Sequence, residues 1–557
     1  MSTLSRVPSL GARAAALAFV LAASTAAAQT TTDPDKGPPP PAAAHARPRA
    51  AAAVAPPPTL VVFITVDQMR PDYFARFHAQ LTGGLKRLYD GGAVFTEAYH
   101  DHAITETAPG HSVVMSGRFP RSTGIVANTA GALDPQSPLI GGGGDPASPF
   151  RFRGSALIDW MRVKDPRARA LSVSRKDRGA IFPLGRAKQN VFWYAPLAGR
   201  FTTSTYYADT LPTWIARFNA THDPGDSAGK AWTPLLAASA YPEPDSVPQE
   251  NPQQPGQSAF PHRLPDTRLG ADSMFREVPW MDQLTLDAAW AGVRAMDLGG
   301  GPQTDLLAIS LSTTDAVGHR YGPDSREMHD QILRLDRSLG TFFDSLYALR
   351  DSTRIVVALT ADHGMTSIPG VHGVASDAGA AFADPNALSR PTRDRLRAAG
   401  VDPAKAFSFA DGLLFVDRPL LAKAGIDADS LVRAFAVELK RSPLVARVEY
   451  PRDLAHADTV HDAIDRRWVH MLPPDLDVAL LVSARRHDPW GSGLYANHGS
   501  PYDDDAHVPM IFYGAPFRAG KYAGRALVAD MAPTLAAVLA TPVLERLDGH
   551  VQRRAIR

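Results

Sequence analysis

The stretch Leu60-Val61-Val62-Phe63-Ile64-Thr65-Val66 decides the fold, because it is a continuous apolar, β-branched run with no polar alternation. A strand with one wet face alternates apolar and polar residues; an unbroken run reads as a strand buried on both faces, as in a parallel sheet. Similar runs recur at 170–174, 306–311, 355–359 and 508–513. Helical patterns around 72–88, 282–296 and 325–349 separate several of them. This alternation predicts an α/β fold, a mostly parallel central sheet with helices on both faces. Two stretches break the rhythm, at about 185–275 and 400–490, and are expected to be insertions that build a cap over the sheet edge.

Upstream of Leu60 the composition changes abruptly. Residues 29–58 are rich in Ala and Pro and are expected to form an unpacked tether to a catalytic domain spanning 59–557. Residues 1–28 carry Arg6 and Arg13, an apolar run from Ala14 to Ala23, and Ala26-Ala27-Ala28 before Gln29. This is the pattern of a secretory signal, too short in its apolar part to span a bilayer comfortably. The expected location is therefore the periplasm or outside the cell. The absence of cysteine suits an exported chain, since no thiol can mispair. With 557 residues, a formal net charge of +1 and 21% charged residues, nothing marks a nucleic-acid partner. No stretch after the signal is long and apolar enough for a membrane span, and a monomer is the default expectation.

Most candidate ligands for a metal follow the predicted strands. Val66 precedes Asp67, Leu311 precedes Ser-Thr-Thr-Asp315-Ala-Val-Gly-His319, and Leu359 precedes Thr-Ala-Asp362-His363-Gly. Open α/β sheets collect their chemistry at the carboxyl ends of strands, so these side chains can converge. His498, in Asn-His-Gly-Ser-Pro-Tyr502, could close the set from a loop. Mixed imidazole and carboxylate ligation suits Zn²⁺ over Mg²⁺. The six residues divide into Asp315/His319/His498 and Asp67/Asp362/His363. Two metals about 4 Å apart would clamp the attacking and leaving oxygens of an in-line displacement. Taken singly, each piece also reads as a turn, a helix cap or a solvated pair.

Thr107, in Thr105-Glu-Thr-Ala-Pro-Gly-His111, is expected at a helix N-terminus, where a phosphate is favoured, and is the candidate nucleophile. Asn128 is placed to donate to a phosphoryl oxygen. Lys176-Asp177-Arg178 supplies two cations just past the strand 170–174. Paired cations favour a dianionic monoester over a singly charged diester.

Together these residues resemble the alkaline phosphatase superfamily, in its nucleotide pyrophosphatase/phosphodiesterase-like branch. The similarity runs from Val61 to about Asp548. Within the branch, the stretch from Ser174 to Ile181 resembles the phosphate-irrepressible alkaline phosphatases, as do Gly199–Tyr207 and His498–Tyr502. The resemblance implies two Zn²⁺ per chain held by Asp67, Asp315, His319, Asp362, His363 and His498, with Thr107 as a metal-bound nucleophile. It implies phosphoryl contacts from Asn128, Lys176 and Arg178. The expected activity is hydrolysis of a broad set of phosphate monoesters through a phosphothreonine. Thr123, where the family often has His before Gly-Ile, and the stretch 185–190 depart from the pattern. The rivals are a phosphodiesterase or nucleotide pyrophosphatase, with Phe192-Trp193-Tyr194 as a slot for the second ester group, a metal-dependent phosphoglycerate mutase, and a catalytically silent, metal-stapled binding protein.

Overall fold

The computed structural model describes residues 56–252, 254–371, 383–488, 490–491 and 496–557. The expected signal at 1–28, and the Ala/Pro-rich stretch up to residue 55, lie outside the described residues.

The central sheet contains ten strands: β1 (Leu60–Val66), β2 (Ala93–Tyr99), β3 (Ala170–Ser174), β4 (Asn190–Ala195), β5 (Arg200–Thr202), β6 (Asp305–Leu311), β7 (Ile355–Thr360), β8 (His507–Tyr513), β9 (Gly520–Tyr522) and β10 (Ala526–Leu527). Their order is β9-β2-β8-β7-β1-β6-β3-β4-β5, with β10 also on β2. The run from β7 to β4 is parallel throughout; β8 is antiparallel to both its neighbours, and β5 is antiparallel to β4. All seven residues of β1 are buried, as its unbroken apolar run requires. Each large apolar side chain so buried contributes about 1.5–3 kcal/mol.

Register is what positions the site. Thr65 of β1 pairs with Thr360 of β7, and Val66 pairs with Leu311 of β6. The N–H of Asp67 then donates to the Leu311 carbonyl at 2.9 Å. The chain thus leaves three neighbouring strands at one level, at their carboxyl ends.

The helical pattern expected over 72–88 is two helices, Asp72–Phe77 and Gly84–Gly91. The break is tertiary in origin. Gly83 and Gly84 press against the helix Arg326–Leu349 so closely that a Cβ on either would overlap it. Asp336 of that helix accepts the N–H groups of Thr82, Gly83 and Lys86 at 2.7, 2.6 and 3.0 Å. The second short helix is therefore capped by a residue from another element.

Strands β4 and β5 fall inside the stretch 185–275 and extend the central sheet, so the chain leaves the sheet only after Thr202. Phe192, Trp193 and Tyr194 are core residues of β4, each 2–3% exposed; they line no slot. The stretch 400–490 carries a separate antiparallel sheet ordered Phe407–Ala410, Leu413–Val416, Leu480–Ala484, Val445–Glu449. It has its own apolar core, which includes Phe435 of the helix Ala428–Arg441.

Two close contacts generate predictions. A Cβ on Gly110, in the helix Thr107–Val114, would overlap the carbonyl oxygen of Asp362. Gly110→Ala should destabilise the protein by about 1–3 kcal/mol or more, read as a lower urea midpoint; an unchanged midpoint contradicts the packing. Beyond β2, His100 and His102 are buried, and among the described residues His100 Nδ1 and both ring nitrogens of His102 have no hydrogen-bond partner. Burial pushes His100 down to about 4 and His102 well below its ordinary range. Both are lowered relative to the unfolded value of about 6.5, so the neutral rings stabilise the fold above that pH. That contribution is lost as pH falls from about 6.5 toward 4. On chelator-treated protein the urea midpoint should drop across this window, and His102→Phe should shallow the drop.

Candidate metal centre

Asp67 is the first residue past β1, and Asp362 and His363 follow β7 by two and three residues. Asp315 and His319 follow β6 on the helix Thr313–Tyr321, where an i, i+4 spacing puts both on one face. His498 arrives on a loop before β8. The ligand atoms of Asp315, His319 and His498 lie within 4.8 Å of one another, as do those of Asp67, Asp315 and His363. Asp362 contributes no atom to either group; its Oδ2 is 3.7 Å from His363 Nε2.

The imidazoles share one orientation. His319, His363 and His498 each turn Nδ1 to a backbone carbonyl, those of Ala496 (3.1 Å), Gly364 (2.9 Å) and Thr105 (2.8 Å). A carbonyl only accepts, so each Nδ1 carries the proton. Each Nε2 therefore faces the carboxylates and is the nitrogen that the neutral ring would offer to a metal. Asp67 Oδ1 and His363 Nε2 are buried without a hydrogen-bond partner among the described residues, and Asp67 Oδ2 and Asp362 Oδ2 are met by the ion pairs with Lys176 (2.7 Å) and His111 (3.0 Å), neither aligned as a hydrogen bond. Buried polar atoms are normally satisfied. Orphaned oxygen and nitrogen donors in one place fit a divalent cation with mixed ligation.

Positive charge is already drawn into this space. Lys176 Nζ lies 2.7 Å from Asp67 Oδ2, 2.7 Å from Asp315 Oδ2 and 3.1 Å from Thr107 Oγ1. Burial alone would raise Asp315, but Lys176 and the imidazoles of His319 and His498 hold it well below the usual carboxylate range. Asp362 is likewise depressed against burial, by His363 and His111. Burial works to lower His363, yet Asp362 and Asp67 push it up to about 9. Burial and the charge of His363 bring His498 down to about 4.

Thr107 opens its helix and is 1% exposed. The residue before it, Glu106, occupies the cap position, so Thr107 is not a mere cap. The helix start offers a phosphoryl group fewer backbone donors than the sequence suggests. The Ala108 N–H is taken by Asn128 Oδ1 at 2.9 Å, and Pro109 has none. That same bond fixes Asn128 and leaves its NH₂ as the donor. Asn128 is held again by its own N–H, which donates to Glu106 Oε2 at 2.6 Å. Arg178 bonds only to its neighbour Asp177 among the described contacts, and its Nε is buried without a partner. The structure thus brings Lys176 into the centre with Thr107 and the carboxylates, while Arg178 stands outside that contact network.

Two residues near the centre carried no role in the sequence reading. His111, fully buried, places Nδ1 2.9 Å from the Thr107 carbonyl and 3.0 Å from Asp362 Oδ2, with Nε2 3.0 Å from Ser310 Oγ. It joins the helix that opens at Thr107 to a carboxylate of the cluster. Arg175 Nη2 is 3.5 Å from Asp315 Oδ2. The i, i+4 spacing of Thr107 and His111 was a usable signal for the first; nothing in the sequence marked the second.

Residues 61–403 match the family described as type I phosphodiesterase / nucleotide pyrophosphatase. Alkaline phosphatase PhoK of a Sphingomonas species is 32% identical over 533 residues, 88% of this chain and 90% of its own. Alkaline phosphatase PhoV of Synechococcus elongatus is 30% identical over 524 residues, 86% of this chain and 90% of its own. The crystal structure of wild-type alkaline phosphatase PafA superposes with a TM-score of 0.82 at 26% identity, covering 90% of this chain and all of that one. A chain with this sheet, with orphaned ligand atoms at its strand ends and with similarity across nearly its whole globular length, belongs to the type I phosphodiesterase / nucleotide pyrophosphatase family of the alkaline phosphatase superfamily.

Proposed function

We propose that this chain is a zinc-dependent alkaline phosphatase that hydrolyses a broad set of phosphate monoesters through a phosphothreonine at Thr107. The contact of Lys176 Nζ with Thr107 Oγ1, at 3.1 Å, carries the reading. It puts a fixed cation where the attacked phosphoryl group must lie, which favours a dianion. The relatives PhoV, PhoK and PafA, all named alkaline phosphatases, support the same reaction. A phosphodiesterase gains no support from Phe192-Trp193-Tyr194, which are buried in β4.

Asp315, His319 and His498 would hold one ion; Asp67, Asp362 and His363 would hold the other. Two such ions, when bound, supply Lewis acidity that favours an ionised nucleophile and offsets charge on the departing oxygen. The chain's own residues do the rest. Thr107 Oγ1 attacks phosphorus in line, held by the first turn of its helix. Lys176 Nζ and the Asn128 amide grip the equatorial oxygens, and Arg178 is the candidate for a further contact to the same group. Water then cleaves the phosphothreonine from the side the leaving group vacated. Phosphoryl transfer depends mainly on positioning and charge, so this inventory is enough. Residues 1–28 support action in the periplasm or outside the cell; among the described residues no helix is long and apolar enough to cross a membrane.

The deciding measurement is kcat/KM for an aryl phosphate monoester and its matching diester, on zinc-loaded protein. Lys176→Ala should cost the monoester about 10²–10³-fold and the diester much less. A diester preference indifferent to Lys176 overturns the assignment. Thr107→Ala should abolish both turnover and the acid-stable phosphorylated protein trapped by quenching; a trapped phosphoprotein in that variant rules out Thr107. Chelator-treated protein should lose activity and recover it at two zinc ions per chain, with a rate that rises with pH. A flat or acid-peaked profile speaks against the mechanism.

A further inference from the structure

Immediately beyond Asp67 the chain turns at Gln68, which is fully buried and holds φ at +67°. Residues with side chains seldom occupy this left-handed region. The conformation has a definite product here, since it lets one residue reach two carboxylates. The Gln68 N–H donates to Asp362 Oδ1 at 3.2 Å, and its side-chain Nε2 donates to Asp315 Oδ1 at 3.2 Å. The remaining amide oxygen, Oε1, is buried with no hydrogen-bond partner among the described residues. It rests on Gly318, so closely that a Cβ there would overlap it. Gly318 stands between Asp315 and His319 on their shared helix, so a bare backbone at this point is what admits the amide.

We propose that Gln68 is a positioning residue that sets the placement of the two metals relative to each other. It holds Asp362 from its backbone and Asp315 from its side chain, and these carboxylates serve different ions in the proposed function, on which this inference rests. Because Gln68 follows Asp67 directly, one turn of chain at the end of β1 controls a carboxylate from each of three strands' ends. Gln68 touches no substrate in this scheme; it acts by fixing the direction in which two ligands present their free oxygens. Hydrogen bonds that orient ligands in this way typically account for about ten- to a hundredfold in metal affinity.

The test separates the amide from the backbone. Gln68→Gly keeps both the left-handed turn and its N–H while removing the amide. Gly318→Ala leaves Gln68 in place but displaces its side chain. Zinc affinity is measured on the full chain by chelator competition, with stoichiometry by elemental analysis, beside the urea midpoint of the metal-free protein. Both variants should bind at least one zinc about ten- to a hundredfold more weakly than wild type. The metal-free midpoint of Gln68→Gly should shift little, since relief of the backbone opposes the loss of one buried side chain and its hydrogen bond to Asp315. A role in folding alone would lower that midpoint and leave affinity intact, and that result overturns the inference. So does wild-type affinity at both sites in Gln68→Gly. If the wild-type chain itself takes up no stoichiometric metal, the metal reading falls and takes the inference with it. Two tightly bound ions in wild type and in both variants would sink the inference alone.

Discussion

Three carboxylates, Asp67, Asp315 and Asp362, are buried together, and the rest of the centre is an answer to that fact. A buried charge is tolerated only when opposite charge and hydrogen bonds accompany it. The folded chain supplies Lys176 between two of them and imidazoles around all three. It stops short of full satisfaction, because among the described residues Asp67 Oδ1 has no hydrogen-bond partner, and Asp67 Oδ2 and Asp362 Oδ2 have ion pairs without aligned hydrogen bonds. Such a cluster is costly as a structural element and reasonable as a cation site, where the ion's own charge dominates the local balance. Lys176 has a double duty in this view: it neutralises the ligands, and it faces the nucleophile.

The sheet makes this burial possible. Parallel strands in register end at one level, and the β7-β1-β6 trio delivers its following residues to a common space. Helices then set distance. The helix bearing Thr107 lies on the backbone of Asp362 through Gly110. The helix bearing Asp315 and His319 lies on Gln68 through Gly318. In both places a glycine lets the helix backbone approach its neighbour directly, main chain against main chain at Gly110 and main chain against a buried side-chain amide at Gly318.

Sequence made the sheet legible because doubly buried strands leave a strong mark: five of them read as mainly apolar runs. It also pointed to the residues that gather at the strand ends, since Asp and His after such a run are chemically conspicuous. What it hid was set by partners distant in the chain. The break at Gly83-Gly84 depends on Asp336, a helix away. The aromatic triple at 192–194 looked like a slot and is core, because neighbours on both sides of β4 cover it. The helix that carries Asp315 and His319 is missing from the helical patterns of the sequence, since two threonines and a glycine mask its spacing. Gln68 carries no local signal at all, as its left-handed backbone answers to Asp315 and Asp362.

The proposed ligands enter the chain in the order 67, 315, 319, 362, 363 and 498, and the last of them sits on the loop before β8. A centre assembled from such distant pieces is a late event in folding, because long-range contacts come after the loops between them have closed. Synthesis must therefore run past His498 before a complete set of candidate ligands exists. An ion met early finds only partial sites and can exchange; the ion that stays is the one present where the chain finishes folding. Metal identity is then partly a matter of address, decided by the compartment as well as by the ligands.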